Sequence, residues 1–127
     1  MSTLIVENIS DGSGTNIDVS GIATSVSGAT AWCRFDARNG GSIGASYNVS
    51  SVTDINTGRT IVTFTTEMDN TDYVALGNAS SGTDTSTDTW INPYDFDSSF
   101  CSYGVYNSSG NYVDRSFVCV AFFGGKS

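Results

Sequence analysis

Aromatic and hydrogen-bonding side chains alternate in the C-terminal third of the sequence, between residues 90 and 97. Trp90 and Tyr94 lie there beside Asn92, Asp95 and Asp97. A pyranose ring presents an apolar C–H face and a rim of hydroxyl groups, so aromatic faces beside amides and carboxylates suit sugar binding. The alternative is that these aromatic residues only build a hydrophobic core. We predict a glycan- or receptor-binding site formed by Trp90, Asn92, Tyr94, Asp95 and Asp97.

Catalysis has few candidate residues in this sequence. The chain contains no histidine, which excludes the Ser-His-Asp triad, Cys-His pairs and His-ligated zinc. The carboxylates that remain are the pair Asp95 and Asp97 and the group Glu67, Asp69 and Asp72. Neither set lies in an apolar run that would raise a carboxyl pKa, so solubilising surface charge is favoured over acid–base catalysis. We predict that the protein is not an enzyme.

Metal and cofactor motifs are equally weak. Residues 67–72 and 84–88 offer oxygen ligands, but neither segment has the Asp-x-Asp-x-Asp-Gly spacing of a calcium loop. Residues 12–14 read Gly-Ser-Gly, without the third glycine and the following helix of a dinucleotide site. The sequence therefore predicts no metal and no cofactor.

The net charge of the chain is strongly negative. Five Lys and Arg residues stand against thirteen Asp and Glu residues, giving a net charge of −8. Such a chain repels phosphate backbones and anionic membrane surfaces. No stretch approaches the roughly 20 apolar residues of a transmembrane helix, and the first residues lack the basic start and apolar core of a signal peptide. We predict no nucleic-acid partner, no membrane insertion and synthesis in a cytoplasm.

The three cysteines, Cys33, Cys101 and Cys119, are an odd number without Cys-x-x-Cys spacing. This pattern encodes neither a disulfide framework nor a zinc knuckle. Each cysteine lies in an alternating apolar run, which favours three buried thiols. A bridge between Cys101 and Cys119 remains an alternative.

Residue usage favours strands over helices. The chain has two leucines, two glutamates, one lysine and no glutamine, so it lacks straight-chain helix formers. In residues 29–36, Ala31, Cys33 and Phe35 fall on one face and polar or amphipathic side chains on the other. That period of two is typical of a half-buried strand. We predict an all-β fold.

Short polar turns divide the chain into further predicted strands. The segments 29–36, 43–52 and 60–66 form a predicted antiparallel meander, and 100–106 with 112–123 a predicted closing hairpin. Residues 116–123 are apolar on both faces, which indicates the centre of a sheet or an interface. Residues 78–89 are a predicted solvated loop. Other strands are predicted at residues 4–6, 73–76 and 90–96. Roughly eight or nine strands at this spacing predict an antiparallel β-sandwich or small barrel.

The first 28 residues contain few large apolar groups. We expect these residues to fold only when the main domain or a neighbouring chain packs against them. We predict an N-terminal attachment or oligomerisation segment at residues 1–28 and a β-sandwich domain at residues 29–127.

The central part of the sequence resembles a domain that is widespread in tail-fibre-like structural proteins of bacteriophages, including cyanophages. In that group an Ala-Trp-x-x-Phe strand precedes an Ala-Ser-Tyr/Phe-Asn-Val-Ser-Ser strand, a Thr-Gly turn and a Phe-Thr-Thr strand. The corresponding residues here are 31–35, 45–51, 57–58 and 64–66. The likeness extends over roughly residues 29–77.

This resemblance implies a non-enzymatic virion component, a tail fibre or fibre tip that mediates adsorption to a bacterial surface glycan. It implies a homotrimer in the virion tail, produced in the bacterial host cytoplasm, with other tail or baseplate proteins as partners. By analogy, the N-terminal segment attaches to the virion and the C-terminal aromatic loops contact the host polysaccharide. Alternatives are a free carbohydrate-binding β-sandwich module, with or without a metal, and a head decoration or other structural virion protein.

Overall fold

The computed structural model describes residues 28–81 and 89–127, together with the backbone pairing of four residues nearer the N-terminus. Those four residues form a short antiparallel pair, β1 (Ile9–Ser10) and β2 (Asn16–Ile17). The predicted strand at residues 4–6 and most of the predicted loop at 78–89 lie outside the described residues.

The described part of the chain is built from eight further strands and one 3-10 turn at Ala37–Asn39. It contains no helix long and apolar enough to cross a membrane. The all-β prediction is confirmed. The strands are β3 (Ala31–Asp36), β4 (Ser42–Tyr47), β5 (Val49–Asn56), β6 (Arg59–Phe64), β7 (Tyr73–Ser80), β8 (Thr89–Phe96), β9 (Phe100–Asn107) and β10 (Phe117–Gly124).

These strands form two antiparallel sheets of four strands each. Sheet I has the order β4-β3-β10-β7, and sheet II has the order β5-β6-β9-β8. Side chains that alternate along the strands of both sheets form one shared hydrophobic core. Two sheets that share a core in this way make a β-sandwich, one of the two predicted architectures.

Phe122 lies at the centre of the core. It belongs to β10 of sheet I and is fully buried, and its ring contacts rings from both sheets edge to face. The centroid distances are 4.9 Å to Phe64, 5.9 Å to Tyr73 and 5.9 Å to Tyr103. Edge-to-face contacts of this kind stabilise aromatic cores beyond simple area burial. On β3 the predicted inward face is confirmed, because Ala31, Cys33 and Phe35 are all buried.

The predicted single strand at residues 43–52 is wrong, because the chain changes sheet at Asn48. Asn48 has a φ of +53° and separates β4 in sheet I from β5 in sheet II. Its side chain holds this corner: Oδ1 accepts a hydrogen bond from Thr66 N at 2.7 Å, and Nδ2 donates to the carbonyls of Thr30 and Thr66. The predicted meander is therefore two hairpins, β3–β4 and β5–β6, in opposite sheets.

The predicted closing hairpin is also wrong, since β9 lies in sheet II and β10 in sheet I. One isolated bridge, Tyr106 to Tyr112, is formed where the hairpin was expected to begin. The prediction that the apolar run of β10 lies at the centre of a sheet is confirmed, because β10 pairs with both β3 and β7. The predicted loop at 78–89 is shorter than expected, because β7 continues to Ser80.

All three cysteines are free. Cys33 and Cys101 are buried, and burial raises their pKa values to about 12 and about 11. Cys119 is exposed, so the prediction of three buried thiols is wrong at this position. The possible bridge is not formed: Cys101 faces the core from sheet II, whereas Cys119 faces outward from sheet I.

Candidate functional site: an aromatic platform on sheet II

Strand β8 presents Trp90, Asn92 and Tyr94 on the outer face of sheet II. All three are exposed, and Trp90 is 62 % exposed. The residues between them, Ile91 and Pro93, are half-buried. This alternation follows from the pleat of a strand at the edge of a sandwich. Three of the five residues predicted for glycan binding are therefore brought together.

Arg59 lies beside Tyr94 on the same face. It is the first residue of β6, and the next residue, Thr60, is buried, so the Arg59 side chain points outward. Its Nε and Nη2 donate to the Tyr94 hydroxyl oxygen at 3.3 and 3.2 Å. The guanidinium carbon is 5.6 Å from the Tyr94 ring centroid and 5.9 Å from that of Tyr112. Both rings attract the cation through their π faces.

Tyr106 and Tyr112 form a second pair of rings next to Arg59. Their centroids are 4.6 Å apart with an interplanar angle of 32°, and the Tyr106 hydroxyl donates to the Tyr112 oxygen at 3.2 Å. This hydrogen bond raises the pKa of Tyr106. Trp90 is the direct cross-strand partner of Tyr106. We call Arg59, Trp90, Tyr94, Tyr106 and Tyr112 the aromatic platform.

Gly104 gives the platform its shape. It is paired with Arg59 on one side and Asn92 on the other, so it occupies the centre of the outer face. A Cβ atom at this position would lie 2.8 Å from the Tyr106 hydroxyl and 3.0 Å from its ring. The missing side chain therefore allows the Tyr106 ring to lie across the sheet.

A tight turn at Gly58 holds the segment that carries Tyr112. Gly58 has a φ of +71°, and its N–H donates to Asp114 Oδ1 at 2.7 Å. A Cβ atom there would lie 2.7 Å from the Val105 carbonyl oxygen. Both the backbone conformation and the available space at this position require glycine. The hydrogen bond to Asp114 holds the segment that carries Tyr112 against the turn that precedes Arg59.

The two predicted aspartates have different positions. Asp95 is exposed at a bulge in β8, where it pairs with Ser102. Asp97 lies in the turn between β8 and β9, where its Oδ1 accepts from Ser99 N at 2.9 Å and from Ser99 Oγ at 2.7 Å. These bonds lower the pKa of Asp97. The Asp97 carboxylate therefore stabilises a turn, and its role in binding stays a prediction.

Sequence reasoning did not assign Arg59, Gly104, Tyr106 or Tyr112 to the site. They come from β6, from β9 and from the segment after β9, and the cross-strand register brings them to β8. The one sequence signal was the density of tyrosines after residue 100. Nothing in the sequence pattern indicated which strand would carry the cation.

The acidic segment at 67–72 forms a structural turn. Asp69 Oδ2 accepts from Ser127 N at 2.9 Å, and Asn70 Oδ1 accepts from Asp72 N at 2.9 Å. Within residues 28–81 and 89–127, no group of three or more His, Cys, Asp or Glu side chains could hold a metal ion. The other oxygen-rich segment, 84–88, lies outside the described residues.

A depression of about 480 Å³ lies away from the platform, lined by residues including Thr30, Tyr47, Thr66 and Lys126. Its walls carry no aromatic cluster comparable to the platform, so we place the candidate site on the flat outer face of sheet II.

Comparisons with protein-family models, with curated proteins and with solved structures gave no match for this chain.

Proposed function

We propose that this protein is a non-enzymatic component of a bacteriophage virion, a tail fibre or fibre tip, that binds a bacterial surface glycan through the aromatic platform. The observation that carries the binding function is the position of Arg59 between the Tyr94 and Tyr112 rings on an open sheet face. The resemblance of residues 29–77 to phage tail-fibre domains supports the virion assignment.

The platform matches the surface of a pyranose ring. The exposed Trp90 and the tyrosine rings offer flat apolar faces for the C–H side of a sugar. The Asn92 amide and the tyrosine hydroxyls offer donors and acceptors for the sugar hydroxyls. Because these groups lie on an open face, the platform suits a sugar within a long polysaccharide chain.

Arg59 favours a sugar that carries a carboxylate. Two of its nitrogen atoms donate to Tyr94, and a guanidinium group has further N–H donors. Planar guanidinium donors match the two oxygens of a carboxylate. We therefore assign an acidic polysaccharide, one containing a uronic or other sugar acid, as the class of receptor.

The assembly expected from the resemblance is a homotrimer held to other tail or baseplate proteins through residues 1–28. The second candidate function, a free carbohydrate-binding module, is favoured by one observation: a single chain supplies every residue of the platform. Light scattering separates the two, because a strict monomer at micromolar concentration supports the free module and an oligomer supports the fibre.

Binding of purified bacterial capsular and lipopolysaccharide-derived polysaccharides to the protein and its variants tests the platform. Trp90→Ala and Tyr94→Ala each lower the affinity by about tenfold or more, as expected for a central aromatic contact. The matched control is Tyr47→Ala, which removes an exposed tyrosine from sheet I; Tyr47 is 50 % exposed and Tyr94 is 39 % exposed. If both platform variants bind like the parent, the assigned site is wrong.

A further inference from the structure

The outer face of sheet I is unusually apolar for an exposed surface. Cross-strand pairing aligns Tyr47, Trp32, Ala121 and Leu76 in one row that crosses all four strands. Phe123 and Val74 form a neighbouring pair on the same face. Tyr47, Val74 and Leu76 are each at least 50 % exposed. We call this surface the sheet I face.

The charge of the sheet I face differs from that of the whole chain. The next row contains Ala45, Arg34, Cys119 and Asn78, so the charge in these two rows is a single arginine. The Arg34 guanidinium lies 4.2 Å from the centroid of the Phe117 ring. Neither row carries a carboxylate, although the chain has a net charge of −8. Asp36 lies two residues beyond Arg34 on the same side of β3, outside these two rows. Copies that meet through the two rows therefore bring no carboxylates together.

The size of the face fits a contact between two folded domains. Four strands about 4.8 Å apart and about seven residues long span roughly 19 by 23 Å, or about 440 Å² of flat area. The accessible area is larger, because the side chains project from the sheet. A standard interface buries roughly 800 Å² of accessible surface on each partner. The flat area of the face is below this standard, so the face suits a weak or transient contact between copies.

We propose that the sheet I face binds the same face of a second copy of this chain. The two sheets pack face to face, as sheets I and II pack inside each molecule. A contact between identical faces is two-fold and joins two copies, so this inference is separate from the homotrimer expected from the resemblance, which needs a three-fold arrangement. The aromatic platform lies on the opposite sheet, so glycan binding and association can fail independently.

Cys119 reports directly on this contact. It lies within the face beside Arg34, and it is the exposed cysteine, whereas Cys33 and Cys101 are buried. A thiol reagent applied to the full chain should therefore modify Cys119 first. We expect its labelling rate to fall as the protein concentration rises, in step with the appearance of oligomers in analytical ultracentrifugation.

Two matched substitutions locate the contact. Leu76→Asp places a carboxylate on the sheet I face and should weaken association by about tenfold or more. Ile55→Asp changes an exposed aliphatic residue of sheet II and should leave association unchanged. Leu76→Ser serves as a milder second variant, and an unchanged midpoint of urea denaturation shows that each variant is folded.

Three results would overturn the proposal. The first is a monomer at all concentrations with rapid, concentration-independent labelling of Cys119, which means that the face is open. The second is slow labelling of a monomer, which means that residues 1–27 cover the face. The third is equal weakening of association by Leu76→Asp and Ile55→Asp. A parent protein that binds glycan but does not associate contradicts this inference alone, whereas a parent protein that associates but does not bind glycan contradicts the proposed function.

Discussion

Arg59 is one of five basic residues in a chain with thirteen acidic ones, and its guanidinium group lies between two tyrosine rings. The hydrogen bonds to the Tyr94 hydroxyl raise the pKa of Arg59, so it remains a cation at any relevant pH. A cation held in this way on an acidic molecule is a selective contact for an anionic ligand, because the rest of the surface repels that ligand.

Replacing Arg59 tests the assigned charge of the receptor. Arg59→Ala should lower the affinity for an acidic polysaccharide by about tenfold or more, because it removes a charge-assisted contact. It should also flatten the salt dependence measured by calorimetry between about 50 mM and about 500 mM salt. Arg38→Ala, at an exposed arginine in the 3-10 turn, is the control. A salt dependence that survives in Arg59→Ala would show that another residue binds the charge.

The buried cysteines predict how stability depends on pH. Their folded pKa values, about 12 for Cys33 and about 11 for Cys101, lie above the value of an unfolded cysteine. The stabilisation is therefore fully present below the unfolded pKa, and it is lost as the pH rises toward the folded pKa. Above about pH 9, each group should lower the free energy of unfolding by about 1.4 kcal/mol per pH unit.

Urea denaturation between about pH 8 and about pH 10 measures this loss. Cys33→Val removes one titrating thiol from the core and should reduce the slope by the contribution of one proton. Because the chain has no histidine, the free energy of unfolding should change little between pH 6 and pH 8. An unchanged alkaline slope in Cys33→Val would contradict the assignment of that slope to buried thiols.

The corner at Asn48 explains why the strands predicted as one meander lie in two different sheets. A left-handed residue between β4 and β5 sends the chain from sheet I to sheet II. Asn48→Ala loses the side-chain hydrogen bonds and strains the positive φ, so it should destabilise the protein by about 3 kcal/mol. Asn48→Gly keeps the backbone conformation and should cost about half as much. Urea denaturation that ranks the two variants equally would contradict this account of the corner.

Gly104 links strand pairing to the shape of the platform. A methyl group at this position would displace the Tyr106 ring, which is the movable end of a side chain. Gly104→Ala should therefore weaken polysaccharide binding more than it lowers the thermal midpoint. Gly44→Ala is the control, because the nearest atom to its added Cβ would be the Arg34 carbonyl oxygen at 3.7 Å. A large loss of stability without a change in affinity would show that Tyr106 does not contribute to binding.

These elements show what the sequence could and could not predict. Period-two alternation correctly identified the inward face of β3 and the apolar strand β10, because burial on one or both faces determines those patterns. The corner at Asn48 was missed, since Asn also occurs within ordinary strand ends. The turn residues 107–111 were recognised, but a turn signal does not say which strand pairs with which, so β9 and β10 were wrongly joined.

The same limit applies to the candidate site. Trp90, Asn92 and Tyr94 were predictable because they alternate along one strand. Arg59, Gly104 and Tyr106 join them through the register of β6, β9 and β8, which is a long-range property of the fold. The sequence also did not show that the Asp97 carboxylate stabilises a turn, because a carboxylate that forms a turn and one that binds a ligand look alike in sequence.

At the scale of the whole molecule, the two sheets present different surfaces. Sheet II carries an arginine among aromatic rings, and sheet I carries an apolar face with a single arginine in its two central rows. The proposed function uses the surface of sheet II for the receptor, and the proposed association uses the surface of sheet I for a second copy. Because these surfaces lie on opposite sides of the sandwich, the proposed association would leave the platform accessible.

The net charge predicts opposite salt effects on the two interactions. Association brings together copies that each carry a net charge of −8, so added salt should screen their repulsion and strengthen association. Salt also weakens the attraction between Arg59 and a carboxylate, so the ratio of the parent's affinity to that of Arg59→Ala for an acidic polysaccharide should fall in the same salt series. Analytical ultracentrifugation and calorimetry on the same samples measure both trends. If salt strengthens association and also raises this contribution of Arg59 to polysaccharide binding, the assignment of association to sheet I and of glycan binding to sheet II is contradicted.

The fluorescence of Trp90 during polysaccharide titration tests the central claim most directly. The chain has two tryptophans, Trp32 on sheet I and Trp90 on sheet II, so Trp32→Phe leaves Trp90 as the single reporter. We predict that an acidic bacterial polysaccharide changes the emission of Trp32→Phe in a saturable way and leaves that of Trp90→Phe unchanged. Equal responses from the two variants, or a response from Trp90→Phe alone, would contradict glycan binding at the aromatic platform.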